Sequence, residues 1–238
     1  MKKYTTLFFD IDDTLLDFGA AEKSALEKLF NGQGIPYTPE NIAAYKQINQ
    51  GLWRAYEDGT IEQQEVVNTR FSRFFETHGK SVDGTLLENQ YRSYLEDGEQ
   101  VMNTSLEFIE ALRKDFDLYI VTNGLTNTQD KRLRAAGLHP LFKEVFVSEA
   151  IGHQKPKKEF FDFVFNRIPG FIPERGLIIG DSLTSDMKGG YMAGMDTCWF
   201  NPGQKPNPTD IVPTYEIKSL DELVDILQLK AETADCRK

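Results

Sequence analysis

Two aspartates two residues apart, Asp10 and Asp12, lie in Asp10-Ile11-Asp12-Asp13-Thr14 directly after the apolar run Tyr4 to Phe9. In extended chain, positions ten and twelve project to one side, so both carboxylates can face one substrate. One carboxylate of such a pair can attack an electrophile while the other handles the proton of the leaving group. A lone Asp-x-Asp is more economically a turn or a helix cap. The chemistry therefore needs support from residues elsewhere in the chain.

Three later segments supply that support. Thr122 closes the run Leu118 to Thr122, Lys155 lies in Gly152-His153-Gln154-Lys155-Pro156, and Gly180-Asp181-Ser182 closes the run Gly176 to Gly180 with Asp186 five residues beyond Asp181. A hydroxyl can hold a phosphoryl oxygen, a permanent cation can neutralise charge, and further carboxylates can anchor a divalent metal.

These groups need strand ends to stand on. Tyr4 to Phe9, Leu118 to Thr122, Glu144 to Ser148 and Gly176 to Gly180 read as buried strands, with Thr197 to Phe200 and Thr214 to Ile217 extending the same sheet. Helix-like segments alternate with them, and a last helix is expected near Leu220 to Leu229. The fold class is therefore α/β, a parallel sheet flanked by helices, with ligands at the carboxyl ends of the strands.

More than a hundred residues separate the first two strands, far more than an ordinary crossover. Helical spacing near Ala20 to Phe30, Ile42 to Tyr56, Ile61 to Phe75 and Leu86 to Leu95 predicts an all-helical cap over 18–100, leaving 1–17 and 101–238 as the core. Trp53, Tyr56, Phe71, Phe74 and Phe75 are expected to pack the cap interior, the alternative being that Trp53 or a neighbour stacks on a substrate ring. Residues after Lys230 are expected to fray.

Composition narrows the partners. With 37 acidic against 27 basic residues the chain carries a formal charge of -10, a field that repels nucleic-acid polymers, while a small phosphorylated metabolite can still be held at short range by a local cation or helix N-terminus. The apolar start is interrupted at Asp10, and no run is long enough for a membrane span, so a cytoplasmic protein without a membrane partner is expected. Cys198 and Cys236 show neither disulfide nor zinc spacing. His78, His139 and His153 share no metal-like spacing, and of these His153 is nearest to Lys155 in sequence. Monomer and dimer are equally compatible with the sequence.

Taken in order, Asp10-x-Asp12-x-Thr14, Thr122, Lys155 and Gly180-Asp181 through Asp186 resemble the four motifs of the haloacid dehalogenase superfamily. The resemblance spans nearly the whole chain and implies a Rossmann-like core with a helical cap inserted after the first motif. It implies that Asp10 attacks phosphorus to form an aspartyl phosphate, and that Asp12 protonates the leaving alcohol and later activates water. It also implies a Mg²⁺ ion held by Asp10, the backbone carbonyl of Asp12 and Asp181, with Asp186 acting directly or through a water. Thr122 and the backbone N–H groups of Asn123 and Gly124 would cradle the phosphate, with Lys155 beside it.

Within the superfamily, Phe8 to Asp17, Gly180 to Asp186 with Lys188-Gly189-Gly190, Thr197 to Pro202 and Pro213 to Ile217 are similar to small bacterial 5'-nucleotidases acting on nucleoside monophosphates, especially pyrimidine ones. The expected activity is that of a phosphoric monoester hydrolase, with sugar phosphates or phosphoglycolate-like acids as alternative substrates. A metal-independent haloacid dehalogenase would need neither Asp12 nor the Asp181 and Asp186 pair. A phosphoacceptor signalling module would be a bare domain with its aspartate on a middle strand.

Overall fold

The computed structural model describes residues 3–98 and 102–229. The chain divides into two compact units, Met1–Phe18 with Gln100–Lys238, and Gly19–Glu99. Cys236, the tail after Lys230 and the expected unit boundary at residues 100 and 101 lie outside the described residues.

The first unit is built on a parallel sheet. Among the described residues its strands are β1 (Thr6–Phe9), β2 (Asp117–Thr122), β3 (Glu144–Val147), β4 (Gly176–Gly180), β5 (Asp196–Phe200) and β6 (Tyr215–Ile217), in the order β3-β2-β1-β4-β5-β6. β1 is central, paired in parallel to β2 and β4 with Phe9 level with Ile120 and Ile179. That placement explains why all four of its residues are buried. The side chains alternate: Leu7 and Phe9 join Ile120 and Ile179 in one core, while Phe8 joins Val121, Ile178 and Phe160 in the other. In this strand order the chain runs outward in both directions from β1 and β4, which opens a crevice at their carboxyl ends.

The second unit contains α1 (Phe18–Gly32, whose first residue belongs to the first unit), α2 (Pro39–Glu57), α3 (Gln63–Glu76) and α4 (Gly84–Glu96). Thr38 and Asp83 cap α2 and α4 by accepting hydrogen bonds from Asn41 N and Leu86 N. Its interior is aromatic: Phe30 stacks on Phe74 at 4.7 Å and Tyr45 on Phe71 at 5.3 Å. Tyr56, Phe71, Phe74 and Phe75 are buried and Trp53 is half-buried against Tyr56, so the packing role holds for this set.

A buried ion pair crosses that interior. Arg70 Nε and Nη2 each donate to Glu88 at 2.7 Å, Arg70 Nη1 donates to Asn49 Oδ1 at 3.2 Å, and Arg92 Nε reaches Glu88 at 2.8 Å. Removing one member leaves a buried charge without its partner. Glu88→Ala is therefore expected to cost about 3–5 kcal/mol in urea unfolding, with most of it recovered by combining Arg70→Met with Glu88→Leu.

The remaining helices belong to the core: α5 (Leu106–Leu112), α6 (Thr126–Ala135), α7 (Ser148–Ile151), α8 (Lys158–Arg167), α9 (Lys188–Met192) and α10 (Leu223–Ile226). Two expectations need correction. The last helix is shorter than Leu220 to Leu229, because the capping box of Ser219 and Glu222 starts a tight turn over Leu220–Glu222 and only Leu223–Ile226 is α-helical. The first strand ends at Phe9, after which Thr14, Leu15 and Leu16 each donate a backbone hydrogen bond to Ile11 O. Asp10 therefore keeps its strand-like pairing to β4, whereas Asp12 lies in the turning segment, bridged to Leu16, so the two are not on one extended strand. No helix of the described residues is long and apolar enough to cross a membrane.

Candidate active site

Asp10 follows β1 directly and its backbone N–H still donates to Ile179 O of β4 at 2.9 Å, which fixes it beside the crevice. Its side chain is buried and meets Lys155. The lysine arrives from the loop after α7, where Gly152 takes φ +80° to end that helix and reverse the chain. Asn123 grips the lysine backbone from both sides, accepting from Lys155 N at 2.9 Å and donating to Lys155 O at 2.9 Å.

Lys155 is 1% exposed, and its ammonium makes three hydrogen bonds: to Asp10 Oδ1 at 2.7 Å, Asp186 Oδ1 at 2.6 Å and Val121 O at 2.7 Å. All three donors are used, so the ammonium cannot swing without losing a buried partner. Burial alone would pull its pKa down, but Asp10 and Asp186 hold it above the usual lysine range.

Gly180 ends β4 because nothing larger fits there: a Cβ would lie 2.3 Å from Cγ of Asp186. Ser182 then starts a single wide turn over Leu183–Met187, accepting from Ser185 N at 3.2 Å, and this turn brings Asp186 back beneath the strand end. Trp199 Nε1 donates to Asp181 O at 2.8 Å and anchors that residue's backbone.

Among the described residues Asp10, Asp181 and Asp186 form a group in which each offers a carboxylate oxygen, all within 4.8 Å of one another. Burial pushes Asp10 up to about 7, with Lys155 opposing the shift and Asp186 and Asp12 adding to it. Burial, followed by the charges of Asp10, Asp186 and Asp13, raises Asp181 well above the carboxylate range. Three crowded carboxylates against one ammonium leave an excess of negative charge. Oxygen donors in that number and charge fit a hard divalent cation.

Asp12 stands apart from this group. Its Oδ2 accepts from Gln129 Nε2 at 2.7 Å and its Oδ1 from Arg132 Nη1, both on α6. Gln129 Nε2 also reaches Thr122 Oγ1 at 3.2 Å, and that buried hydroxyl accepts from Gly124 N at 3.1 Å. The fold thus brings Asp10, Asp12, Thr122, Asn123, Gly124, Lys155, Asp181 and Asp186 to neighbouring strand ends. Gln129 and Arg132 are additions that sequence reasoning missed.

His153 is exposed, His78 hydrogen-bonds Asn41 in the cap, and His139 faces Asp130 at 3.4 Å. Asp13 is a turn residue with φ 57°. Cys198 is free and buried, and burial pushes its thiol up to about 12.

Fold and site together define a Rossmann-like hydrolase that carries a carboxylate cation site and, beside it, a separately held aspartate. The chain belongs to the haloacid dehalogenase-like hydrolases, whose profile it matches over residues 4–194. It is 56% identical over 236 residues to the HAD-hydrolase YfnB of Bacillus subtilis, covering 99% of this chain and 100% of that one. A magnesium-bound crystal structure of YfnB superposes with a TM-score of 0.91, covering 96% of this chain and 100% of that one at 56% identity. The pyrimidine 5'-nucleotidase PynA of Streptococcus pneumoniae is 43% identical over 229 residues, 94% of this chain and 95% of PynA. The pyrimidine 5'-nucleotidase YjjG of Escherichia coli is 30% identical over 225 residues, 94% of this chain and 98% of YjjG. With its aspartate cluster, this family member is a phosphoric monoester hydrolase.

Proposed function

We propose that the protein is a magnesium-dependent 5'-nucleotidase that hydrolyses nucleoside monophosphates, pyrimidine ones above all, through an aspartyl phosphate on Asp10. The observation that carries the chemistry is the buried contact of Lys155 with both Asp10 and Asp186 beside a second, separately held aspartate. The substrate class is supported by full-length similarity to two pyrimidine 5'-nucleotidases. A cytoplasmic setting belongs to the same reading.

Asp10, Asp181 and the backbone carbonyl of Asp12 would hold magnesium, with Asp186 supporting directly or through a water, and the ion would supply positive charge against the phosphate dianion. Lys155 adds a second positive charge beside Asp10 and holds its Oδ1 in place. Thr122 and the backbone N–H groups of Asn123 and Gly124 hold the phosphoryl oxygens, with the Gly124 N–H exchanging its Thr122 partner for substrate. Asp10 attacks phosphorus, the ester P–O bond breaks, and the leaving oxygen takes the proton of Asp12. Water then attacks phosphorus, gives its proton to the Asp12 carboxylate, and the P–O bond to Asp10 breaks. Both carboxyl groups return to their starting states.

A panel of phosphate monoesters, assayed with Mg²⁺ and with EDTA, tests this reading. Phosphate release from uridine and thymidine 5'-monophosphates is expected to lead the panel and to vanish in EDTA. A clear preference for sugar phosphates or phosphoglycolate would remove the nucleotidase assignment and leave the phosphatase. Halide release from a haloacid without metal, with phosphate esters untouched, would remove both.

A further inference from the structure

We infer that Gln129 and Arg132 of α6 form a brace that orients Asp12 for proton transfer, and so are positioning residues for the reaction. This inference rests on the phosphatase mechanism proposed above.

The two side chains take one carboxylate oxygen each: Gln129 Nε2 binds Asp12 Oδ2 at 2.7 Å, and Arg132 Nη1 binds Asp12 Oδ1. They are also tied to each other, since Arg132 Nη1 donates to Gln129 Oε1 at 3.0 Å. A carboxylate held at both oxygens by linked donors has lost its freedom to rotate about its terminal bond.

The brace is built, not incidental. Gln129 and Arg132 are each 1% exposed, whereas the Asp12 side chain is 33% exposed and keeps an open side from which a proton can move. The Arg132 guanidinium lies over the Phe18 ring at 5.5 Å, so it is fixed from a second direction. Gly124 leaves the room that Gln129 fills, since a Cβ there would sit 2.4 Å from Gln129 Nε2. An ordinary surface glutamine and arginine on a polar helix would need none of this.

Gln129 also joins two parts of the site. Its amide nitrogen reaches Thr122 Oγ1 at 3.2 Å as well as Asp12. The hydroxyl that would hold a phosphoryl oxygen and the carboxyl that would protonate the leaving oxygen of the same phosphate are thus set by one side chain. Spacing between these two sites decides whether the proton donor meets the leaving oxygen, and misplacement by about 1 Å costs on the order of a hundredfold.

Leaving-group dependence separates orientation of a proton donor from mere support of the fold. p-Nitrophenolate departs without a proton, whereas phenolate departs much faster with one, and the two esters are nearly the same shape. Gln129→Ala and Arg132→Lys are assayed by kcat/KM, which reports phosphoryl transfer to Asp10, on p-nitrophenyl and phenyl phosphate. Asp12→Asn serves as the reference, and thermal melting confirms folding. Phenyl phosphate is expected to lose on the order of a hundredfold, p-nitrophenyl phosphate only a few-fold, with the same pattern in Asp12→Asn. Equal losses on both esters in folded Gln129→Ala, or no loss on either, would overturn the inference. Should Arg132→Lys melt below the assay temperature, Gln129→Ala decides alone. A wild-type protein that hydrolyses neither ester would instead remove the phosphatase mechanism, and this inference with it.

Discussion

Asp10→Asn is expected to lose phosphate release by about 10⁴-fold or more, the scale on which loss of a catalytic nucleophile acts, in a protein that still folds. An amide in place of this carboxylate removes the attacking oxygen and one of the three carboxylates that converge on the cation site. It does not remove the neighbours: Lys155 keeps Asp186 at 2.6 Å and Val121 O at 2.7 Å. Melting without metal should therefore stay level or rise, while steady-state assays on a nucleoside monophosphate fall to background. Retained turnover would place the nucleophile elsewhere.

The same variant has a signature in pH. Asp10 sits near 7 when folded against 3.8 ordinarily, so between these values the folded protein keeps a proton that the unfolded chain has lost. Its contribution to stability is complete below the ordinary value and is lost as pH rises through about 7. Magnesium needs the carboxylate, so the rise in Tm on adding MgCl₂ should grow between about pH 5.5 and about pH 8. In Asp10→Asn that growth should shrink to what Asp181 alone contributes, and an unchanged slope would show that Asp10 is not the group that titrates.

What the sequence made legible was whatever sits at the end of a buried strand. Asp10, Thr122 and Asp181 each follow an apolar run too short and too β-rich to be helical, and the contrast between run and polar residue marks the site before any geometry is known. Lys155 was visible only through its order among these motifs, because the loop that carries it has no periodicity. Gln129 and Arg132 were invisible for a definite reason. A polar residue buried on a helix looks the same in sequence as one that faces water, and α6 reads Thr-Asn-Thr-Gln-Asp-Lys-Arg, polar at every one of those positions. Arg70 and Glu88 were hidden in the same way inside the cap. The turn that starts at Ile11 was missed because alternation predicts extended chain as long as apolar and polar residues alternate, and it does not see the three amides that converge on Ile11 O.

Lys155→Met should show how far the site trades stability for chemistry. The substitution keeps an unbranched chain one atom shorter and removes the one ammonium that Asp10 and Asp186 share, 2.7 and 2.6 Å away. Buried carboxylates are then left facing each other, and losing one partner of a buried ion pair costs about 3–5 kcal/mol. Urea unfolding at about pH 8 without metal should register that loss. Lowering the pH below about 7 should return part of it, because a protonated Asp10 no longer needs the ammonium. MgCl₂ should return part of it at either pH, since a cation bound to the same carboxylates neutralises the same charge. Activity should not return with stability. The ion can offset the charge of Asp186, but it cannot donate to Asp10 Oδ1 and Val121 O from the lysine's position, so kcat should stay about a thousandfold down. A variant as stable as the wild type in the absence of metal would mean that the carboxylates do not depend on Lys155, and the electrostatic account of the site would have to be rebuilt from Asp181 outward.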